Sequence, residues 1–219
     1  MWNSQVIIML LEGIRDTLYM TLASTLFGYI IGLPMGIVLT VTDKDGIRPN
    51  AAVYKVLDVL SNLLRSIPFI ILLIVLIPFT RFVVGRSYGS TATIVPLTIA
   101  AAPYIARMVE SSLKEVDAGV IEAARSMGAS DFQIVTRVML VEARTSLIVG
   151  ATISLGTILG YSAMAGTVGG GGLGDIAIRY GYTRWQTDIM VVTVVLLVIL
   201  FQIFQTIGMK IANRLDRRK

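Results

Sequence analysis

Residues 17–42 carry no charged side chain. A segment of about 20 mostly apolar residues is what a helix needs to cross the hydrocarbon core of a bilayer. Three more stretches meet that length: residues 87–106, within 145–174, and 189–209, the last being the cleanest. A fifth is shorter. The uninterrupted apolar run of residues 67–79 has only 13 residues, so it must extend back through Asn62 and Arg65 or forward through Thr80, with Pro68 and Pro78 bending or bounding it. The expected fold class is therefore all-α integral membrane, with five transmembrane helices in a single domain over residues 1–219. Residues 1–11 have neither a basic start nor a small-residue cleavage site, and their apolar run is too short to span. They are expected to form a short interfacial helix leading into the first span.

Composition narrows the function. Of 219 residues, 55% are hydrophobic and 15% charged, with a mean hydropathy of +0.77, more apolar surface than a soluble domain of this size requires. With no cysteine and no histidine, the chain has no disulfides, no thiolate or imidazole metal sites and no His- or Cys-based catalysis. The net charge of +5 does not signify nucleic acid, because the basic residues are spread over loops rather than gathered on one face. Thirteen of the 19 Lys and Arg residues fall in the first loop, the loop of residues 107–144 and the C-terminal tail; five fall on the opposite side, and Arg65 enters a span. By the positive-inside rule the N-terminus is outside and the C-terminus in the cytosol. Arg65 lies two residues before its apolar run, where snorkelling to the interface or pairing with a carboxylate accounts for it.

Small residues mark where spans pack. Gly28, Gly32 and Gly36 recur every four residues on one face of the first span, a stripe suited to close helix contact. Pro96, Pro103 and the run Ala100-Ala101-Ala102 suggest that the third span is irregular and sits inside the bundle. Gly169-Gly170-Gly171-Gly172-Leu173-Gly174 contains G-x-G-x-x-G, but no strand precedes it, so it reads as a tight turn rather than a nucleotide site. No G-x-x-x-x-G-K-[ST] occurs, so the chain has no P-loop for ATP. Tyr161, Ser162 and Met164 bring two hydroxyls and a flexible, polarizable side chain to the middle of the fourth span. They are candidates to line or gate a substrate path, with helix packing as the competing account.

The 38 residues 107–144 are too many for idle coil. Asp117 is a candidate N-cap for a helix over residues 119–127, which Gly128 would end. Ser130, with Gln133 three residues on, opens a second helix by a capping box. Two short helices meeting at Gly128 result, with Glu122, Ala123 and Ala124 on the first.

Glu122-Ala123-Ala124, three residues and then Gly128 resembles the EAA signature of ABC-importer permeases. The family continues with I-x-L-P, whereas this chain has Val138-Met139-Leu140-Val141 and lacks the proline. Arg65-Ser66-Ile67-Pro68-Phe69, Ile77-Pro78-Phe79-Thr80-Arg81, Ala106-Arg107-Met108-Val109-Glu110 and Gly160-Tyr161-Ser162-Ala163-Met164 look like the permeases of methionine ABC importers, a likeness covering nearly the whole chain. The resemblance implies a homodimer in the bacterial inner membrane. Glu122, Ala123, Ala124 and Gly128 would couple each copy to one of two cytosolic ATPase subunits. An extracytoplasmic binding protein would deliver methionine, in either enantiomer, or another amino acid or small polar nutrient. It also implies no catalytic residue, metal or cofactor in this chain, ATP being bound by the ATPase partner. Two other classes fit less well. A secondary transporter lacks acidic residues deep in its spans, every Asp and Glu being placed in a loop or at a span end. A membrane-embedded enzyme lacks a catalytic set.

Overall fold

The computed structural model describes residues 4–215, and every regular element among them is helical. Helix α1 (Ser4–Thr42) is continuous, so from Ser4 onward the expected interfacial helix is the first part of the first span; Met1, Trp2 and Asn3 lie outside the described residues. Glu12, Arg15 and Asp16 interrupt the apolar run there, but charge ends a membrane segment and not a helix; Arg15 pairs with Asp16 at 3.0 Å.

Asn50 caps α2 (Ala51–Ser66) by accepting from the Val53 N–H at 3.1 Å. The chain then bends by 101° into α3 (Phe69–Val75) and continues as α4 (Ile77–Val84). Pro68 has no N–H to donate and forces Ile67 out of the helical region, to φ −80°, ψ 124°. The apolar run is thus divided between α3 and α4, and, extended back through Asn62 and Arg65, α3 forms with α2 a candidate span bent at Pro68, as expected. Four described helices are long and apolar enough to cross a membrane, or five if α2 and α3 count as one bent span.

Helix α5 (Ser90–Lys114) is the centre of the bundle. Its stripe Leu97, Ala101, Ile105, Val109 and Leu113, each 1% exposed or less, recurs every four residues. The interior position expected from its prolines and alanines holds, and the helix continues through Pro96 and Pro103, neither of which has an N–H to donate. It also continues past Ala106, so Arg107, Glu110 and Lys114, expected in a loop, are helical. The glycine stripe of α1 is what lets α1 lie against it. A Cβ on Gly32 would stand 2.6 Å from the Ala102 carbonyl oxygen, and one on Gly36 2.5 Å from that of Ala106.

After α5 come α6 (Ala118–Ser126), α7 (Asp131–Gln133), a π-helical turn (Ile134–Met139) and α8 (Leu140–Glu142). Helix α9 (Arg144–Ala165) follows after the single residue Ala143, which stays in the right-handed helical region at φ −78°, ψ 0°. A 3₁₀ turn (Gly166–Val168), α10 (Gly172–Ile176) and a second π turn (Ala177–Tyr182) lead to α11 (Thr187–Leu215). The glycine-rich stretch is a tight reversal in which Gly171 and Gly172 have φ of +83° and +74°. It docks on α1, the Leu173 N–H donating to the Thr17 hydroxyl at 2.9 Å. Most of α11 is exposed and apolar, as expected of a helix facing lipid.

The contacts bring three basic segments to one end of the bundle. Lys114 meets Asp43 at 2.6 Å, Arg125 donates to the Ile47 carbonyl at 2.9 Å, and Arg144 donates to the Leu215 carbonyl at 3.0 Å. The glycine-rich reversal and the start of α5 lie at the other end, where the Gly89 N–H donates to the Gly169 carbonyl at 2.9 Å.

Candidate functional site

The segment between α5 and α9 is held by local chemistry that its sequence specifies. The Asp117 carboxylate accepts from the Gly119 N–H at 2.7 Å and starts α6. Gly128, at φ +82°, ends it in the left-handed region that other residues avoid. The expected capping box is present, with the Ser130 N–H donating to Gln133 Oε1 at 2.9 Å and the Gln133 N–H to the Ser130 hydroxyl at 3.4 Å.

The four residues of the signature divide by face. Ala124 is 5% exposed and belongs to the same apolar core as Val109, Leu113, Ile134 and Met139. Glu122, Ala123 and Gly128 are exposed, and beside them so are Met127 and Phe132, at 82% and 77%. Ala124 therefore anchors the elbow to this chain's own core. What the elbow offers outward is an acidic side chain, a small residue, a glycine and two large apolar side chains. Clefts of about 570 and 440 Å³ flank α6, one toward Val141–Ser146 side chains and Leu215, the other toward Asp43, Ile47 and Lys114.

The candidate path residues occupy one turn of α9. Tyr161 stacks on Phe69 of α3, ring centroids 4.6 Å apart and planes inclined by 6°. Met164 is 46% exposed. It shares the open face of α9 with Ile153 and Gly160. Ser162 is turned into the bundle, 1% exposed, its hydroxyl donating to the Leu159 carbonyl at 2.8 Å. Arg65, exposed at the end of α2, stands just before the bend.

A cluster of charges that sequence reasoning left in loops lies between these two places. Arg107 pairs with Asp58 of α2 and with Glu110 at 2.7 Å; Glu110 pairs with Lys114 at 2.8 Å, and Lys114 with Asp43. Glu110 is 5% exposed, and this burial is tolerated because two cations and the Tyr54 hydroxyl surround it. The ammonium of Lys114, hydrogen-bonded to Asp43, holds that carboxyl below its usual range. Among the described residues no three His, Cys, Asp or Glu side chains gather in a metal-binding group.

These features define a polytopic helical membrane subunit that presents a helical elbow at one end of its bundle. The chain matches, over residues 19–219, the family described as the inner membrane component of binding-protein-dependent transport systems, and it belongs to that family. It is 48% identical over 210 residues to a probable D-methionine transport system permease protein MetI of Vibrio cholerae, covering 96% of this chain and 93% of that one. It is 53% identical over 158 residues to the D-methionine transport system permease protein MetI of Escherichia coli K12, covering 72% and 73%. Its fold superposes on a chain of the inward-facing MetNI methionine ABC transporter with a TM-score of 0.97 at 49% identity, over 99% of this chain and all of that one. An amino acid ABC transporter solved with histidines shares the fold, with a TM-score of 0.78 at 19% identity over 96% and 95%.

Proposed function

We propose that this chain is the membrane-spanning permease of an ATP-driven methionine importer. Two copies would form the pathway, each receiving a cytosolic ATPase subunit on its α6–α7 elbow, and an extracytoplasmic binding protein would deliver methionine, D- or L-, to the opposite end. The observation that carries the coupling role is the elbow itself. Ala124 fastens it to the core while Glu122, Ala123, Met127, Gly128 and Phe132 face away from the chain. A rigid outward knob of this kind passes a push from a partner into the bundle instead of absorbing it. The substrate rests on the likeness to methionine permeases, supported by identity across nearly the whole chain.

Orientation follows from charge. The basic end, which bears the elbow, is cytosolic, and the N-terminus is outside. Residues 1–219 act as one transport domain, and the conformation corresponds to the inward-facing one, as the superposition supports. The path runs along the open face of α9, where Tyr161 and Met164 form the gate and Ser162 packs behind them. The permease binds no ATP and no metal of its own; hydrolysis belongs to the ATPase.

The test is methionine uptake by proteoliposomes that hold this chain, its ATPase and its binding protein. Uptake should require all three proteins together with ATP on the ATPase side. A complex that assembles and hydrolyses ATP but moves no methionine would overturn the substrate. Failure of the ATPase to bind would overturn the coupling role.

A further inference from the structure

Helix α2 is held to the bundle in an unusual way for a membrane protein. Ser61 is its one fully buried residue, and Val56 and Leu63 stand 66% and 58% exposed. Apolar packing within this chain therefore contributes little to its position. What grips it is a row of charges on α5. The Arg107 guanidinium binds the Asp58 carboxylate and donates to the Asn62 side-chain carbonyl at 3.1 Å. The Tyr54 hydroxyl donates to Glu110 at 3.3 Å, and the Lys114 ammonium lies 5.7 Å from the centre of the Tyr54 ring.

Both ends of this row lead to functional elements. Toward the elbow, Lys114 binds Asp43, the loop after Asp43 folds back on α1 through the Arg48 N–H to the Val41 carbonyl, and Arg125 of α6 holds that loop at Ile47. Toward the path, α2 turns by 101° into α3, whose Phe69 stacks on Tyr161. Ion pairs and hydrogen bonds, linked through the backbone of residues 43–47, thus join α6 to the arm that carries half of the Phe69–Tyr161 contact. Ion pairs with fixed geometry bind or let go as units, whereas apolar faces slide, so a polar grip fixes one register between two helices.

We propose that Arg107, through Asp58 and Asn62, is a positioning residue that ties the α2–α3 arm to α5, so that movement at the elbow displaces Phe69 against Tyr161. The role rests on the coupling proposed above. Without the tie, the ATPase would still dock on α6 and turn over, but the arm would not follow.

The test uses the assembled complex in proteoliposomes and reads methionine transported per ATP hydrolysed. Arg107→Ala should leave the complex intact by size exclusion and its ATP hydrolysis within two-fold of the unaltered complex, while the transport-to-hydrolysis ratio falls at least ten-fold. The conservative Arg107→Lys, which keeps a cation beside both Asp58 and Glu110, should recover a large part of that ratio, a rescue that a general loss of stability does not give. Should Arg107→Ala fail to insert, Asp58→Asn, at a partly exposed carboxylate, reads the same quantity and should lower it several-fold. A ratio unchanged in Asp58→Asn and in Arg107→Ala overturns the tie. So does a parallel loss of hydrolysis and uptake in Arg107→Ala that Arg107→Lys does not rescue. Failure of the unaltered complex to couple hydrolysis to uptake overturns instead the reading on which the tie rests.

Discussion

Met164 and Tyr161 sit one turn apart on α9 but are held very differently, and the difference decides how each should respond to change. Met164 is half-exposed, so truncating it leaves no cavity in this chain and should not alter folding. Tyr161 is half-buried against Phe69, and loss of that stack removes about 0.5–1.5 kcal/mol beyond the area it covers. Met164→Ala should therefore insert and bind the ATPase as before while methionine uptake falls several-fold. Tyr161→Ala should lower uptake and slightly lower thermal stability. Tyr161→Phe keeps the stacked ring and separates the hydroxyl from the aromatic face. Uptake at the unaltered level in both alanine variants would remove these residues from the path. Gly128 shows the opposite situation. No atom lies within 4 Å of a Cβ placed there, yet its φ of +82° strains any substituent, so a change at Gly128 tests the elbow's shape before it tests its contacts.

Between elements, the α1–α5 contact bears the load. Both helices approach closely because Gly28, Gly32 and Gly36 face Ala101, Ala102 and Ala106. Lipid gives no hydrophobic drive to bring helices together, so van der Waals contact at short range holds them. Gly32→Val would press against the Ala102 carbonyl and Ile105, an overpacking that costs about 1–3 kcal/mol. It should lower the melting temperature of the detergent-solubilised protein and the yield of assembled complex, whereas Gly160→Ala, which meets nothing within 4 Å, should do neither. This stripe was legible in the sequence because a period of four residues is a property of one helix. So were the caps of α6 and α7, which local hydrogen bonds define, and the interior place of α5. The bend at Pro68 and the break before Pro78, which stands in the first turn of α4, were legible from the two prolines, but not the size of the bend. The charged row was missed because hydropathy ends a span where charges begin, while α5 goes on as a helix to Lys114. Its signal was present: Arg107, Glu110 and Lys114 are spaced by three and four residues, so they lie on one face. Their partners Asp43, Tyr54 and Asp58 come from distant parts of the chain, and only tertiary structure unites them.

For the whole molecule, the two ends of the bundle are chemically distinct. One gathers Asp43, Lys114, Arg125 and Arg144 with the elbow. The other has the glycine-rich reversal, and exposed Tyr88 and Trp185 lie on the loops leading into α5 and α11. Aromatic rings of that kind suit the headgroup region, and an excess of Lys and Arg suits the cytosolic face. The absence of cysteine from the sequence makes the orientation directly measurable, since each introduced thiol is the single reactive one. Ser126→Cys, on the exposed side of α6, should react with a membrane-impermeant maleimide in inside-out vesicles and stay unlabelled in spheroplasts. Tyr88→Cys should show the reverse. Exchange of the two patterns would invert the orientation and place the elbow away from any cytosolic ATPase. Labelling of both from one side would contradict the separation of the two ends on which the transport path depends.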